Sequence, residues 1–134
     1  MKKLCLIFIS IAAFVLLSVS ANASAMSWPI NNYPYTGTYY VLPVSDYRIG
    51  GSAEVTNQVA QVGNFSVRVA GSSYIFNVDL DRYVIAGSYD ETNTAALSNY
   101  VYIQTSTSSN SYTYVEGYCV VNGGMTFPTI RAYK

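Results

Sequence analysis

The sequence feature that most constrains the fold is a two-residue alternation of apolar side chains, which recurs from residue 37 to the C-terminus. Side chains of a β-strand point alternately to opposite faces, so this period indicates strands with one buried face. No window of about 11 residues sustains the 3.6-residue apolar repeat of an amphipathic helix. Residues 90–98 suit a single helical turn or a loop equally well. The sequence therefore predicts an all-β domain.

Three short turns divide the first part of this region into strands. Gly71-Ser72, Asp81-Arg82 and Gly63-Asn64 each suit a two-residue hairpin loop. With these loops, apolar residues face apolar residues along the strands, and Phe76 covers Gly87. We therefore predict four consecutive antiparallel strands that share one apolar face.

The C-terminal part shows the same pattern with many tyrosines. Asn122-Gly123 is the strongest type I′ turn signal of the chain, and a two-residue loop there sets Tyr118 opposite Phe127. A Ser/Thr-rich loop over 107–111 then places Tyr100 opposite Tyr118. We expect the last three strands to form two consecutive hairpins.

These turns predict a single antiparallel meander of about eight strands in one domain. Closing such a meander removes its exposed edges, so we expect a small closed or nearly closed β-barrel. A two-sheet β-sandwich is the alternative. The predicted strands are 37–43, 53–61, 64–70, 73–80, 83–89, 99–106, 111–120 and 125–133.

The N-terminal segment has the pattern of an export signal. Lys2-Lys3 precedes an apolar run over 4–19, and the small residues of 20–25 fit the A-x-A cleavage rule. We predict a signal peptide over 1–25, cleaved after residue 23 or 25, and hence a periplasmic or extracellular protein. The alternative is an uncleaved anchor, although a spanning helix needs about 20 apolar residues. Residues 26–36, which contain two prolines, are expected to form an extended arm before a single β domain over 37–134.

Composition excludes several functions. Without 1–25 the chain keeps five basic and seven acidic side chains, a net charge of −2, which argues against nucleic-acid binding. The chain has no His, so Ser-His-Asp, Cys-His and common zinc sites are excluded, and we predict no enzyme, metal or cofactor. Cys119 is the one cysteine after residue 25, which leaves no intramolecular disulfide. It is interpreted as a buried hydrophobe, with an intermolecular bridge as the alternative.

Tyrosine is unusually frequent in this chain. All 14 tyrosines lie after residue 25. In the last three predicted strands they share a face with polar and charged residues. Three interpretations remain open for this face: ordinary packing, a ligand pocket inside the barrel, or an exposed binding or assembly platform. The candidate binding residues are Tyr100, Tyr102, Gln104, Tyr114, Glu116, Tyr118 and Arg131.

The leading functional hypothesis is an exported, non-enzymatic β-barrel. The Tyr-rich face of its C-terminal hairpins would bind a small amphipathic or carbohydrate-like ligand, or an envelope or extracellular protein. A structural, self-assembling subunit of a surface layer, fibre or matrix is the first alternative, because low charge and many tyrosines suit lateral packing. A periplasmic enzyme inhibitor is the second. No membrane span is expected after signal cleavage.

Overall fold

The computed structural model describes residues 24–59, 65–96 and 98–134, and these residues form nine β-strands. No helix in these ranges is long and apolar enough to cross a membrane. The strands are β1 (Met26–Asn32), β2 (Tyr35–Ser45), β3 (Arg48–Asn57), β4 (Phe65–Asn77), β5 (Arg82–Ala95), β6 (Tyr100–Ser108), β7 (Tyr114–Val121), β8 (Met125–Thr126) and β9 (Ile130–Tyr133).

The strands form two antiparallel sheets that are not closed into a barrel. Sheet A has the order β1-β2-β3-β6, and sheet B has the order β5-β4-β7, with β8 and β9 both paired to β7. The all-β prediction is confirmed and the sandwich alternative fits, whereas the closed barrel is wrong. The physical reason is connectivity, since the chain passes between the sheets after β3, after β5 and after β6. Strands that are neighbours in sequence are therefore often in different sheets.

The predicted hairpin at Gly71-Ser72 is wrong, because β4 runs straight through these residues. Gly71 pairs with Tyr89 on one side and with Gly117 on the other. A Cβ atom on Gly71 would lie 2.5 Å from the hydroxyl of Tyr89. This glycine makes room for a core tyrosine inside a strand and does not form a turn. The predicted turn at Gly63-Asn64 lies outside the described residues.

The predicted hairpin near Asp81-Arg82 exists, but its loop is longer than two residues. Asn77 pairs with Arg82, so residues 78–81 form the loop. The Asn77 side-chain oxygen accepts hydrogen bonds from the backbone N–H groups of Asp79 and Leu80, each at 3.0 Å. This Asx-type arrangement fixes the loop, and the register differs from the predicted one by four residues.

Asn122-Gly123 is a turn, as predicted, and both residues have positive φ angles of 54° and 72°. Val121 pairs with Met125, so the loop includes a third residue, Gly124. The extra residue shifts the register by one, and a second one-residue shift occurs between β8 and β9, so Glu116 pairs with Arg131 where a two-residue loop would pair it with Thr129.

Residues 26–36, predicted as an extended arm, form β1 and the start of β2. β1 pairs with β2 from Met26 opposite Val41 to Asn32 opposite Tyr35, and it lies at the edge of sheet A. This segment is therefore engaged within its own sheet.

The core lies between the sheets and consists mainly of Val, Ile, Phe and buried Tyr. Cys119 is a free, buried thiol. Two tyrosine hydroxyls tie distant segments together across the core: Tyr39 donates to the carbonyl of Pro128, and Tyr112 donates to the carbonyl of Ser45 at 2.7 Å. These bonds satisfy the polar ends of two largely apolar side chains.

Candidate functional site

The structure divides the seven predicted binding residues between two outer faces. β6 pairs with β3, whereas β7 pairs with β4 and β9, so β6 and β7 do not form the predicted hairpin. The chain changes sheet between residues 108 and 114, and a shared Tyr face of the last strands is therefore wrong. The outer face of sheet A carries Tyr100, Tyr102 and Gln104, and the outer face of sheet B carries Tyr114, Glu116, Tyr118 and Arg131.

The outer face of sheet B carries a connected group of aromatic rings, which we call the tyrosine platform: Tyr74, Phe76, Tyr83, Tyr114 and Tyr133. Tyr114 is at its centre, with ring centroids 5.1 Å from Tyr74, 5.1 Å from Tyr83 and 5.9 Å from Tyr133. Phe76 meets Tyr83 edge-on at 5.3 Å. Tyr114 is only 7% exposed although it lies on an outer face, because the other rings cover it. The platform is thus a packed layer outside the sandwich core.

Strand register explains why these rings meet. Tyr74 is directly opposite Tyr114, Phe76 is opposite Tyr83, and Tyr114 is opposite Tyr133. Directly opposed side chains on one face of an antiparallel pair lie about 5 Å apart at Cβ, which suits aromatic contacts. Each ring of the platform therefore follows from a cross-strand pair.

The two-residue hairpins expected at Gly71-Ser72 and Asp81-Arg82 would place Tyr74, Tyr83 and Tyr89 together on the apolar face, whereas only Tyr89 is in the core. Tyr74 points outward because β4 has no turn at Gly71-Ser72, which leaves Tyr74 on the face opposite Val69. Tyr83 points outward because of a register shift in the β4–β5 pair, since Ser73 pairs with Gly87 and Tyr74 with Ile85. The extra residue in β5 is a β-bulge, which reverses the facing of later side chains. Tyr83 therefore points outward while Tyr89 points into the core, although a regular strand would place both on one face.

Arg131 fixes one side of the platform. Its guanidinium carbon lies 4.1 Å from the ring centroid of Tyr114, and its Nε donates at 2.9 Å to the Glu116 carboxylate. Nη2 donates to the same oxygen, and Nη1 donates at 3.3 Å to the Tyr133 hydroxyl. The hydrogen bonds to Tyr133 and Glu116 raise the pKa of Arg131. Glu116 and Tyr133 hold the guanidinium over the Tyr114 ring.

A shallow groove of about 170 Å³ adjoins the platform between β4 and β7. Its lining includes the backbone of Gly71 and Gly117, which pair between the two strands. Ser72, Glu116 and Thr129 contribute polar side chains to its lining, and two tyrosines contribute aromatic side chains. The groove therefore offers hydrogen-bonding groups beside a surface of aromatic rings.

The β4–β5 hairpin extends the platform with exposed apolar side chains. Val78 and Leu80, in the loop, are 79% and 54% exposed, and Ile85, which pairs with Tyr74, is also exposed. Contiguous exposed apolar side chains on a small protein commonly mark an interaction surface.

The outer face of sheet A has a different composition. Glu54 on β3 lies directly opposite Tyr102 on β6, and Tyr100 is the diagonal neighbour. The Tyr102 hydroxyl donates at 2.7 Å to Gln104 Oε1. Burial raises the pKa of Tyr100 and of Tyr102, and the negative charge of Glu54 raises both further.

Two further features concern chemical reactivity. Within the described ranges, no group of three or more His, Cys, Asp or Glu residues is placed to hold a metal ion. Burial raises the pKa of the Cys119 thiol to about 12, so the thiol is protonated at neutral pH and is a poor nucleophile.

Comparisons with known proteins give little further information. No family model and no curated protein matches the sequence. Two solved structures are similar, a longer and a shorter form of the sensor domain of the anti-sigma factor RsgI4 from Pseudobacteroides cellulosolvens. The longer form is 8% identical with a TM-score of 0.42, covering 84% of this chain and 88% of its own. The shorter form is 9% identical with a TM-score of 0.42, and the match covers 86% of this chain and 96% of the shorter form. Similarity at this level carries no functional conclusion.

Proposed function

We propose that the protein is an exported, non-enzymatic binding protein that holds a carbohydrate-like ligand against the tyrosine platform. The observation that carries this proposal is the packed ring layer around Tyr114, clamped by Arg131 and bordered by a groove with hydroxyl and carboxylate groups. The ligand would lie across the rings and reach into the groove.

The chemistry of this surface matches a sugar chain. A pyranose ring has apolar C–H faces that stack on aromatic rings, and equatorial hydroxyls that need hydrogen-bond partners. The platform offers the first, and Ser72, Glu116 and Thr129 in the groove offer the second. Because neighbouring rings and Arg131 already restrict the tyrosines, little conformational entropy is lost on binding.

The number of carboxylates in the groove favours binding without hydrolysis of the ligand. Glycoside hydrolysis uses two carboxyl groups about 5 to 10 Å apart. Glu116 is the one carboxylate among the described residues that line the groove, and it is paired with Arg131. A second acid for this reaction is therefore missing from the groove lining.

The proposal is tested with Tyr83→Ala and Tyr133→Ala, which remove rings from the platform's rim. Tyr47→Ala is the matched control, since Tyr47 is 66% exposed, lies in the β2–β3 turn and is not one of the platform's rings. The assays are retention on insoluble cellulose, chitin and xylan, and calorimetric titration with the corresponding soluble oligosaccharides. Loss of one stacking ring should weaken binding about tenfold. Each variant's thermal midpoint separates lost binding from lost folding.

Two results would contradict the proposal. One is failure of the parent protein to bind any of these glycans. The other is equal binding by the parent, the two platform variants and the Tyr47 control.

A protein partner or a second copy is the other candidate occupant, favoured by the exposed Val78, Leu80 and Ile85 at the β4–β5 hairpin. Sedimentation velocity over a wide concentration range tests the self-assembly form of this idea. Association that Leu80→Asp and Ile85→Asp abolish would support it, and a strict monomer at high concentration would exclude it.

A further inference from the structure

We propose that the outer face of sheet A carries a second binding site, centred on Glu54, which accepts the guanidinium group of an arginine from a basic protein partner. This site is distinct from the tyrosine platform and does not depend on the function proposed for it. We call it the Glu54 site, and it consists of Glu54, Tyr40, Tyr100 and Tyr102.

Sheet register brings these four side chains together. Tyr102 on β6 is directly opposite Glu54, and Tyr100 is its diagonal neighbour on the same strand. On the other side, β2 places Thr38 opposite Glu54, so Tyr40 is again a diagonal neighbour. Direct and diagonal neighbours on one face of a sheet are within reach of aromatic side chains. One carboxylate is therefore flanked by three tyrosines.

The rings are open to a partner. Tyr100 and Tyr102 are 45% and 42% exposed, and Tyr40 is exposed to a similar extent. The negatively polarised faces of aromatic rings attract cations, and a neighbouring carboxylate adds a full negative charge. The surface is thus suited to an organic cation.

The cationic side chains of the described residues lie elsewhere. Among the residues that the structure describes, Arg68, Arg131 and Lys134 form the ion pairs, with Asp90, Glu116 and Asp46 as partners.

Neither remaining arginine of the described ranges completes the Glu54 site. Arg48 donates to the Ser106 side chain at the opposite end of β3, and Arg82 begins β5 in the other sheet. Glu54 therefore has no ion-pair partner among these residues.

Sheet B shows what completes such a site. There Tyr114 and Glu116 lie on one face of β7, and the guanidinium of Arg131 from the adjacent strand lies over the ring and pairs with the carboxylate. The Glu54 site has the same two components, a carboxylate and neighbouring tyrosine rings. Since its third component is missing from the described chain, charge complementarity assigns that component to a partner.

A guanidinium group fits better than an ammonium group. Guanidinium is planar, so it stacks on a tyrosine ring while its N–H groups reach a carboxylate beside the ring. Arg131 makes both contacts at once on Tyr114 and Glu116. An ammonium group is compact and more strongly hydrated, and it makes one contact at a time.

The test is an NMR titration of the protein, produced from the full-length chain, with a blocked Gly-Gly-Arg-Gly-Gly peptide. Peptides with lysine or citrulline in place of arginine are titrated in parallel. We expect the arginine peptide to shift the amide signals of β3 and β6, and the neutral citrulline peptide to leave them unchanged. Raising the ionic strength should weaken the interaction.

Glu54→Gln removes the charge but keeps the shape of the side chain. It should weaken binding of the arginine peptide about fivefold, the combined effect of an exposed ion pair and a cation–π contact. Glu91→Gln is the matched control, since Glu91 is an exposed carboxylate on β5 in sheet B. Tyr102→Leu should also weaken binding, and Tyr47→Leu should not. Thermal midpoints of all variants establish that they are folded.

Several outcomes would overturn the proposal. They are equal binding by the Glu54→Gln and Glu91→Gln variants, equal binding of the lysine and arginine peptides, and absence of signal shifts in β3 and β6. Self-association that Glu54→Gln abolishes would replace the basic partner with a second copy of the chain. Glycan retention measured on the Glu54→Gln protein keeps the two proposals separate, because Glu54 is on the sheet opposite the platform.

Discussion

Replacing Gly117 with alanine tests the packing that places β7 beneath the platform. A Cβ atom added to Gly117 would lie 2.8 Å from Cγ2 of Val41 and closer still to the hydroxyl oxygen of Tyr89. Both neighbours are buried core side chains, so relief requires movement of a packed ring. Overpacking of this kind costs about 1 to 3 kcal/mol.

Alanine also restricts the unfolded chain, which returns about 0.5 kcal/mol. We therefore expect Gly117→Ala to lower the free energy of unfolding by about 2 kcal/mol. For a domain of this size the thermal midpoint should fall by about 8 °C. Urea denaturation followed by far-UV circular dichroism measures the change. Gly124→Ala is the control, because a Cβ atom there would have nothing within 4 Å.

A second substitution identifies the cause. Tyr89→Phe removes the oxygen nearest to the added methyl group, so Gly117→Ala should cost about 1 kcal/mol less in that background. The packing explanation is refuted if the two substitutions are additive. It is also refuted if Gly124→Ala destabilises the protein as much as Gly117→Ala.

Three further predictions follow from the charges and the thiol. Arg131→Ala, which removes the guanidinium from the Tyr114 ring, should weaken glycan binding about fivefold in the calorimetric titration, whereas an unchanged affinity would exclude a role for the clamp. Arg68, hydrogen-bonded to Asp90, lowers the pKa of that carboxyl. Its stabilising effect is therefore present above the unfolded-state pKa and lost as pH falls through the lower folded-state pKa, so the thermal midpoint of Asp90→Asn should fall less than the parent's on acidification below about pH 4. Cys119 should resist alkylation at pH 8 in the native protein and react fully in urea, as mass spectrometry would show, and rapid native alkylation would contradict its burial.

The correctly predicted parts of the fold depend on local signals. Alternation identified an all-β chain, and Asn122-Gly123 adopts the positive φ angles that its residue types favour. The prediction failed where a local criterion had several solutions. Placing apolar residues opposite apolar residues permitted a hairpin at Gly71-Ser72, yet β4 satisfies the same criterion against β7, with Val67 opposite Val121. Gly71 is needed because the ring of Tyr89, which is distant in sequence, packs against its backbone, and no local pattern reveals this contact.

The candidate site was predictable in part for the same reason. Parity within β7 placed Tyr114, Glu116 and Tyr118 on one face, and these residues do share the outer face of sheet B. Parity failed at the bulge in β5, where a single extra residue turned Tyr83 outward. Parity also gives no information on which sheet each strand joins. It could not predict that Tyr100, on β6, lies in the sheet opposite Tyr114.

The pairing order of the strands has a consequence for the time course of folding. β4 and β5 form a hairpin, but the second edge of β3 is paired only by β6, and the second edge of β4 only by β7. During synthesis, which starts at the N-terminus, neither sheet can be completed until residues 100–133 are available. One edge of β3 therefore stays unpaired until the end of synthesis. The contacts that close both sheets span long stretches of sequence, which slows folding. A chaperone that shields unpaired strand edges would therefore bind β3 and β4 before residues 100–133 have been synthesised.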